Sequence, residues 1–249
     1  MNDGELTRLL DEAAAAVVDA LADHADWGLT PTSDEQHHSD LAADAAALAV
    51  LDRPDVGVVS EESGTRRPDA DLVVVIDPLD GSSNAAQGIP WYGTSLCAVD
   101  ADGPRAAVVV DLPRGRFYRA LRGGGATCDE RVVGPSVVTQ RSDALVVLNG
   151  FPGRHLGWRQ YRALGAAALD LCAVADGTVD ALVDCSPAGL APWDYLGALL
   201  VCTEAGAAVT ELDGRDLATV SFDARRRVVA AATEDLLVEM VDAIGVAPS

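Results

Sequence analysis

Two aspartates end the most apolar stretch of the chain and are spaced three residues apart. The run 73–76 is rich in β-branched residues, as in a buried strand, and Asp77 and Asp80 follow it around a proline. Carboxylates at the end of a rigid strand can hold a hard divalent cation such as Mg²⁺. Gly-Ser-Ser-Asn at 81–84 then forms a turn that can open a helix, whose free backbone N–H groups bind phosphate. Adjacent metal and phosphate sites indicate phosphoryl chemistry.

Carboxylates also stand at the ends of other predicted elements. Glu61 directly follows a short apolar strand over 56–60, as Asp77 follows its own strand. Asp194 opens an apolar helix after Pro-Trp, where the simpler interpretation is a helix-capping role. Asp40 begins another predicted helix. Because the chain is so acidic, any one of these residues taken alone is better explained as solvated surface.

The elements that must position these residues divide into two halves, with a boundary predicted within 132–140. The first half is predicted to contain helices over 5–25 and 40–51, and antiparallel strands over 94–99, 106–112 and 117–121. The second half is predicted to contain helices over 163–175 and 194–205 with a final helix capped by Thr233, and strands over 145–148, 179–183, 209–211 and 228–231.

The charge composition is unusual. Asp and Glu number 39 against 18 basic residues, all of them arginine, and the formal net charge is −21. This pattern is typical of proteins from salt-in extreme halophiles, in which carboxylates keep the surface solvated and salt screens their repulsion. An ordinary acidic protein from a GC-rich genome is the alternative. Such a surface disfavours nucleic acid as a partner.

Other sequence features narrow the class of protein. No apolar run reaches about 18–20 residues without a charge, so no membrane association is expected. The N-terminal residues lack the basic region of a signal peptide, and the expected location is cytoplasmic. The five cysteines are odd in number and include no C-x-x-C, so a disulfide framework or a zinc site is poorly supported.

Taken together, the motifs resemble the inositol monophosphatase family of Mg²⁺-dependent sugar phosphatases, over roughly residues 5 to 235. The matching segments are 61–64, 77–84, 88–92, 165–171, 192–194, 204–206 and the surroundings of Asp40. The resemblance implies an α+β / α/β fold, the layered αβαβα sandwich. It also implies an α+β half over 1–133, an α/β half over 134–249, and a homodimer.

The resemblance further implies a complete active site. Two or three Mg²⁺ ions, with Mn²⁺ as an alternative, would be held by Glu61, Asp77, the Leu79 carbonyl, Asp80 and Asp194, and by Asp40 at a weaker third position. Glu61 and Ser82 would orient and deprotonate the attacking water, and Asp77 would complete the catalytic group. Substrate would be bound by Asp80, Gly81, Ser82, Ser83, Gly165, Ala167 and Asp194.

Three positions depart from the family pattern. Ser82 stands where many relatives have threonine, which keeps the hydroxyl. Pro187 stands where inositol-preferring relatives carry a glutamate, so a strong inositol preference is not expected. Leu29 falls at or near the position of a loop lysine, and Asp34 is the candidate for the carboxylate of that loop.

Three further polar residues are candidates outside the motifs. His37 and His38 are interpreted as solvated loop residues, and Arg162 is a candidate contact to a substrate phosphate. The predicted function is hydrolysis of inositol 1-phosphate, fructose 1,6-bisphosphate or both. A catalytically silent scaffold or regulatory protein on the same fold is the alternative.

Overall fold

Alternating apolar residues give each of two β-sheets two buried faces. In β3 (Val73–Asp80), Val73 and Val75 pack into one core while Val74 and Ile76 pack into another. This follows from the strand geometry, in which successive side chains point to opposite faces. The result is a five-layer arrangement of helices and sheets, as the computed structural model shows for residues 1–31 and 36–245.

Six α-helices and thirteen strands make up these layers among the described residues, and a short 3-10 helix spans Arg141–Asp143. The helices are α1 (Asp3–Ala22), α2 (His38–Leu51), α3 (Ser82–Gln87), α4 (Ala167–Ala175), α5 (Pro192–Ala205) and α6 (Glu234–Gly245). The other strands are β1 (Gly57–Ser60), β2 (Gly64–Arg66), β4 (Gly93–Asp100), β5 (Gly103–Asp111), β6 (Arg116–Leu121), β7 (Gly125–Cys128), β8 (Arg131–Val132), β9 (Leu145–Asn149), β10 (Gln160–Arg162), β11 (Ala181–Asp184), β12 (Ala208–Glu211) and β13 (Val228–Ala231).

The first sheet has eight strands in the order β2-β1-β3-β4-β5-β6-β7-β8. Strands β1 and β3 are parallel, and the remaining neighbours are antiparallel. Helices α1 and α2 cover one face and share a core with it, which includes Leu6, Leu10 and Leu51. The parallel β1–β3 pair matters for function, because parallel strands end at the same edge of a sheet.

The other face of the first sheet packs against α4 and α5, which lie between the two sheets. The second sheet has the order β10-β9-β11-β13-β12 and contributes Val147, Leu182 and Ala230 to this middle core. Its outer face packs against α6 through residues such as Val229 and Leu236. The αβαβα sandwich expected from the sequence is therefore confirmed. The division at 133/134 stays a prediction.

Local signals set several of the boundaries. Gly206 ends α5 in the left-handed conformation, with φ of 93°. The Thr233 hydroxyl accepts a hydrogen bond from the amide of Leu236 at 3.2 Å, as expected of the residue that caps α6. Helix α4 begins at Ala167 and not at 163 as predicted, because Gly165 adopts a φ of 84° that breaks the helical path.

The described residues include no helix that is both long and apolar enough to cross a membrane. Asp34, the candidate loop carboxylate, lies outside the described residues.

Candidate active site

The two carboxylates of β3, Asp77 and Asp80, lie in its C-terminal half and are buried. Asp77 is 2% exposed and Asp80 is 9% exposed. One Asp77 oxygen accepts the amide of Leu79 at 3.0 Å, which fixes the turn around the proline. Asp80 accepts the amides of Ala167 and Ala168 at 3.2 and 2.8 Å. Asp80 therefore ties the first sheet to the start of α4.

Glu61 joins Asp77 because β1 and β3 run parallel in matched register. Ser60 pairs with Ile76, and the Glu61 amide donates to the Ile76 carbonyl at 3.2 Å. The carboxyl of Glu61 is within hydrogen-bonding reach of that of Asp77. These two strand ends thus bring together the two carboxylates that the sequence singled out.

Surrounding protein atoms and nearby negative charges both raise the pKa of Glu61. The side chain of Glu61 is exposed at its tip, but other acids surround it on this part of the surface. Burial among protein atoms, followed by the charges of Asp194 and Glu62, raises the pKa of Glu61 to about 8. Glu61 can therefore carry a proton near neutral pH when no cation is present.

Asp77 and Asp80 are affected more strongly. Burial is the largest cause that raises the pKa of Asp77 well above its ordinary value, and the charges of Glu61, Asp80 and Asp194 add to it. Burial also raises the pKa of Asp80, with Asp194 the largest charge acting on it. Asp194 of α5 thus acts electrostatically on both acids of β3.

Asp194 lies in the first turn of α5. One oxygen accepts the Ala191 amide at 2.7 Å, so the capping role proposed from the sequence is present. Burial raises the pKa of Asp194 to about 6, although that hydrogen bond and Arg225 act in the opposite direction. Capping uses one carboxylate oxygen and leaves the other able to bind a ligand.

Asp40 lies at the start of α2 and is 3% exposed. Its Oδ2 accepts the backbone amide of His37 at 2.6 Å, and the Ser82 hydroxyl reaches its carboxyl. Burial raises the pKa of Asp40, an effect that these hydrogen bonds partly offset. The structure thus brings Asp40 next to Ser82, another predicted site residue.

The turn after β3 is held tightly. Gly81 has a φ of 82°, and a Cβ there would lie 3.1 Å from Ala166 Cβ and from the carbonyls of Gly165 and Trp91. Asn84 donates from its side-chain amide to the carbonyls of Trp91 and Leu164, each at 2.7 Å. These contacts place the predicted substrate residues near one another: Gly81, Ser82, Ser83, Gly165 and Ala167.

The donor set suits a hard cation. Four carboxyl groups whose pKa values are raised, together with the Leu79 carbonyl at the same strand end, offer oxygen ligands of the kind that Mg²⁺ prefers. Within residues 1–31 and 36–245, no three His, Cys, Asp or Glu side chains stand close enough to enclose an ion as they are. A bound cation would therefore require rotation of these side chains, since Asp80 and Asp194 turn oxygens toward backbone amides.

Pro187 and Leu29 are the two described positions at which the chain departs from the family pattern by losing a charged residue. Pro187 and Leu29 are both exposed.

The interpretation of His37 as a solvated loop residue is wrong, because it is 6% exposed and precedes α2 as its N-cap. A β-bridge between Leu29 and His37 holds this residue against the protein, a contact that the polar local sequence does not reveal.

Three buried carboxyl groups around the site are not among the residues predicted from the sequence. Asp44 accepts the Ser60 hydroxyl at 2.5 Å, Asp170 accepts the Trp91 indole at 2.8 Å, and Asp184 is fully buried at the end of β11. A signal existed for Asp44, which is four residues after Asp40 on the same helix face. Asp184 directly follows the predicted strand 179–183, the criterion that had singled out Glu61 and Asp77.

Comparisons with known proteins agree with this arrangement. The model of the inositol monophosphatase family matches residues 9–245. A fructose-1,6-bisphosphatase/inositol-1-monophosphatase from Archaeoglobus fulgidus is 32% identical over 255 residues, covering 98% of this chain and 100% of that protein. A Nus factor SuhB from Pasteurella multocida is 32% identical over 205 residues, covering 75% of each.

A solved structure supports the same conclusion. The inositol monophosphatase from Anabaena superposes with a TM-score of 0.84 at 25% identity, covering 100% of this chain and 98% of that one. The fold, the order of the motifs and the match over nearly the whole length agree. This chain belongs to the inositol monophosphatase family.

Proposed function

We propose that this protein is a metal-dependent phosphomonoesterase acting on small sugar or polyol phosphates, including inositol 1-phosphate and fructose 1,6-bisphosphate. One observation carries the proposal: acids that directly follow β1, end β3 and begin α5 act on one another beside the Gly81 turn. The name of the Archaeoglobus relative, a fructose-1,6-bisphosphatase/inositol-1-monophosphatase, joins these two substrates and supports their choice.

The residues that would hold the cations are Glu61, Asp77, the Leu79 carbonyl, Asp80 and Asp194, with Asp40 at a third position. Mg²⁺ is the proposed ion and Mn²⁺ the alternative. Bound cations would supply polarisation of the phosphoryl group, a more acidic water molecule and stabilisation of the leaving oxygen.

The chain's own groups would perform the remaining steps. Glu61 would accept the proton of the attacking water, which the Ser82 hydroxyl helps to orient. The N–H groups of Gly81, Ser82 and Ser83 would hold phosphate oxygens. Gly165 and Ala167, held close by Asn84 and Asp80, would form the facing wall.

A phosphate-release panel tests the proposal. The full chain in molar KCl would be given inositol 1-phosphate, fructose 1,6-bisphosphate, other sugar phosphates and 3′-phosphoadenosine 5′-phosphate, with Mg²⁺ or with a chelator. We expect release from the first two that depends on Mg²⁺ and stops on chelation. Release that is equally fast in the chelator would contradict metal dependence.

A regulatory protein on the same fold is the second candidate. The similarity to the Pasteurella relative, which is named a Nus factor, favours this alternative. The same panel separates the two, because a folded protein that releases no phosphate under any condition would favour the regulatory function. The proposed assembly is a homodimer, which sedimentation in molar KCl would test.

A further inference from the structure

Arg225 is a positively charged residue at the rim of the candidate active site. It lies on the exposed segment before β13, and its guanidinium carbon stands 5.3 Å from the centre of the Trp193 ring. Trp193 directly precedes Asp194 in the first turn of α5, and the charge of Arg225 acts on the Asp194 carboxyl. Arg225 therefore lies beside one of the acids proposed to hold a cation.

Backbone hydrogen bonds fix the position of this segment and of the guanidinium. Arg226 and Leu190 exchange two backbone hydrogen bonds of 2.8 Å, which tie the segment to the residues just before α5. The Nη1 group of Arg225 donates to the carbonyls of Phe222 and Ala224 at 3.0 and 2.8 Å. The guanidinium is thus held in place by the protein itself.

The other edge of the guanidinium is open. Within the described residues, Arg225 forms no ion pair, and its Nε and Nη2 groups donate no hydrogen bond. Other arginines, such as Arg105 and Arg119, pair with acids. The N-terminal end of a helix also disfavours a nearby cation, because the helix dipole is positive there. Neither an ion pair nor the dipole of α5 explains the position of Arg225.

This open edge matches a phosphate group. The Nε and Nη2 groups of an arginine form a planar fork that can bind two oxygens of one phosphate. In the proposed reaction, the cations and the Gly81 turn hold the reacting phosphate. We propose that Arg225 binds the second, non-reacting phosphate of a sugar bisphosphate such as fructose 1,6-bisphosphate. This inference rests on the proposed function and assigns one residue to the recognition of bisphosphates.

The competing explanation is that Arg225 acts only through Asp194. A positive charge beside this acid favours its ionised form, which would assist cation binding for every substrate alike. A contact to the second phosphate matters only for a substrate that carries one. Fructose 1,6-bisphosphate and fructose 1-phosphate separate the two explanations, because they share the reacting phosphate and differ in the other.

Steady-state kinetics of the full chain with Mg²⁺ in molar KCl provide the test. The variants are Arg225→Gln and Arg225→Lys, and the matched control is Arg8→Gln, at an exposed position of α1. Arg162→Gln is a second comparison, because the sequence marks Arg162 on β10 as another candidate phosphate contact. Circular dichroism and melting curves would establish that all four variants are folded.

The measured quantity is the ratio of kcat/KM for fructose 1,6-bisphosphate to kcat/KM for fructose 1-phosphate. In Arg225→Gln this ratio should fall by at least about tenfold, the lower range for the loss of hydrogen bonds to a charged group. Arg225→Lys should lose less, because an ammonium group keeps the charge but not the fork. In Arg8→Gln the ratio should stay within about twofold of wild type.

Two results would overturn the inference and leave the proposed phosphatase function intact. One is an unchanged ratio in folded Arg225→Gln, even if both rates fall together. The other is a fall of the ratio in Arg162→Gln in place of Arg225→Gln, which would assign the second phosphate to β10. Failure of the proposed function would look different, because wild type would release phosphate from neither sugar, and the inference would then fail with it.

Discussion

The acids of the candidate site repel one another, and protons or cations must compensate for this. Burial and neighbouring charges raise the pKa of Glu61 to about 8 and that of Asp194 to about 6. A folded protein with raised carboxyl pKa values binds more protons than the unfolded chain in the pH range between the two values. Each such carboxyl therefore destabilises the metal-free fold as it loses its proton.

The first prediction follows from the sign of this shift. In the metal-stripped protein, the free energy of unfolding should fall as pH rises from about 4.5, the ordinary value of Glu61, to about 8. Glu61→Gln should flatten this slope, because it removes the titrating group. Denaturant unfolding at several pH values in molar KCl would measure it, with Glu12→Gln, an exposed residue of α1, as the matched control. A slope unchanged by Glu61→Gln would contradict the account.

The second prediction concerns the substrate. The proposed metals and the Gly81 turn recognise phosphate, which all candidate substrates share, and Pro187 cannot hydrogen-bond a ring hydroxyl. The loss of such a contact removes a large source of selectivity. The kcat/KM values for inositol 1-phosphate and fructose 1,6-bisphosphate should therefore lie within about a hundredfold, roughly 2.7 kcal/mol. A larger preference for inositol 1-phosphate would show that other residues supply the selectivity.

At the scale of elements, α3 is positioned by one side chain. Asn84 connects α3 to Trp91, which precedes β4, and to Leu164, which precedes α4, through its two 2.7 Å hydrogen bonds. Helix α3 has six residues, too few to be stable alone, so these tertiary contacts must hold it. The position of the proposed phosphate-binding turn thus depends on Asn84.

The third prediction is that Asn84→Asp lowers kcat/KM and stability together. The substitution removes both donors and places a carboxylate beside two carbonyl groups, which should cost about 1–3 kcal/mol of unfolding free energy. The matched control is Gln87→Glu, which makes the same amide-to-acid change at an exposed position of α3. Steady-state kinetics and denaturant unfolding would measure both effects, and equal behaviour of the two variants would refute the positioning role.

The elements that could be predicted from the sequence are those with a strong apolar pattern. Strands such as β4 and β5 and helices such as α1 follow directly from hydrophobic periodicity. Four strands are not predicted from the sequence. Strands β2, β8 and β10 are short and lack buried residues, and β7 has only two buried residues, Ala126 and Cys128, so none of them carries a strong apolar pattern.

The candidate site shows a similar division. The carboxylates at strand ends could be singled out locally, because an acid directly after an apolar strand is conspicuous. The burial of His37 could not, since it depends on a bridge to Leu29 and on packing that only the folded chain creates. The contact between Asp40 and Ser82 likewise joins residues 42 positions apart.

At the scale of the whole molecule, the most pronounced property is negative charge. The chain has 39 acidic and 18 basic residues, which gives a net charge of −21. Several arginines pair with acids across elements, such as Arg105 with Asp3 and Arg119 with Asp11. Exposed pairs of this kind contribute at most about 1 kcal/mol each, so they cannot offset the overall repulsion.

The fourth prediction is a requirement for molar salt. At about 0.01 M ionic strength the Debye length is about 30 Å, so carboxylates across much of the surface repel one another. We expect the melting temperature and the activity to fall on dialysis from molar KCl into dilute buffer. Sucrose at matched water activity should not restore them, since it does not screen charge. Unchanged stability in dilute buffer would contradict the prediction.

The central claim is that acids at the ends of β1 and β3 and at the start of α5 build one metal-dependent phosphatase site. The most direct test is phosphate release by Asp77→Asn and Asp194→Asn at saturating Mg²⁺ in molar KCl. Asp19→Asn, on the exposed side of α1, is the matched control. Each site variant should stay folded and lose at least about a hundredfold in kcat, because each loses a charged ligand of a hard cation. Near-normal turnover in either folded site variant would contradict the account.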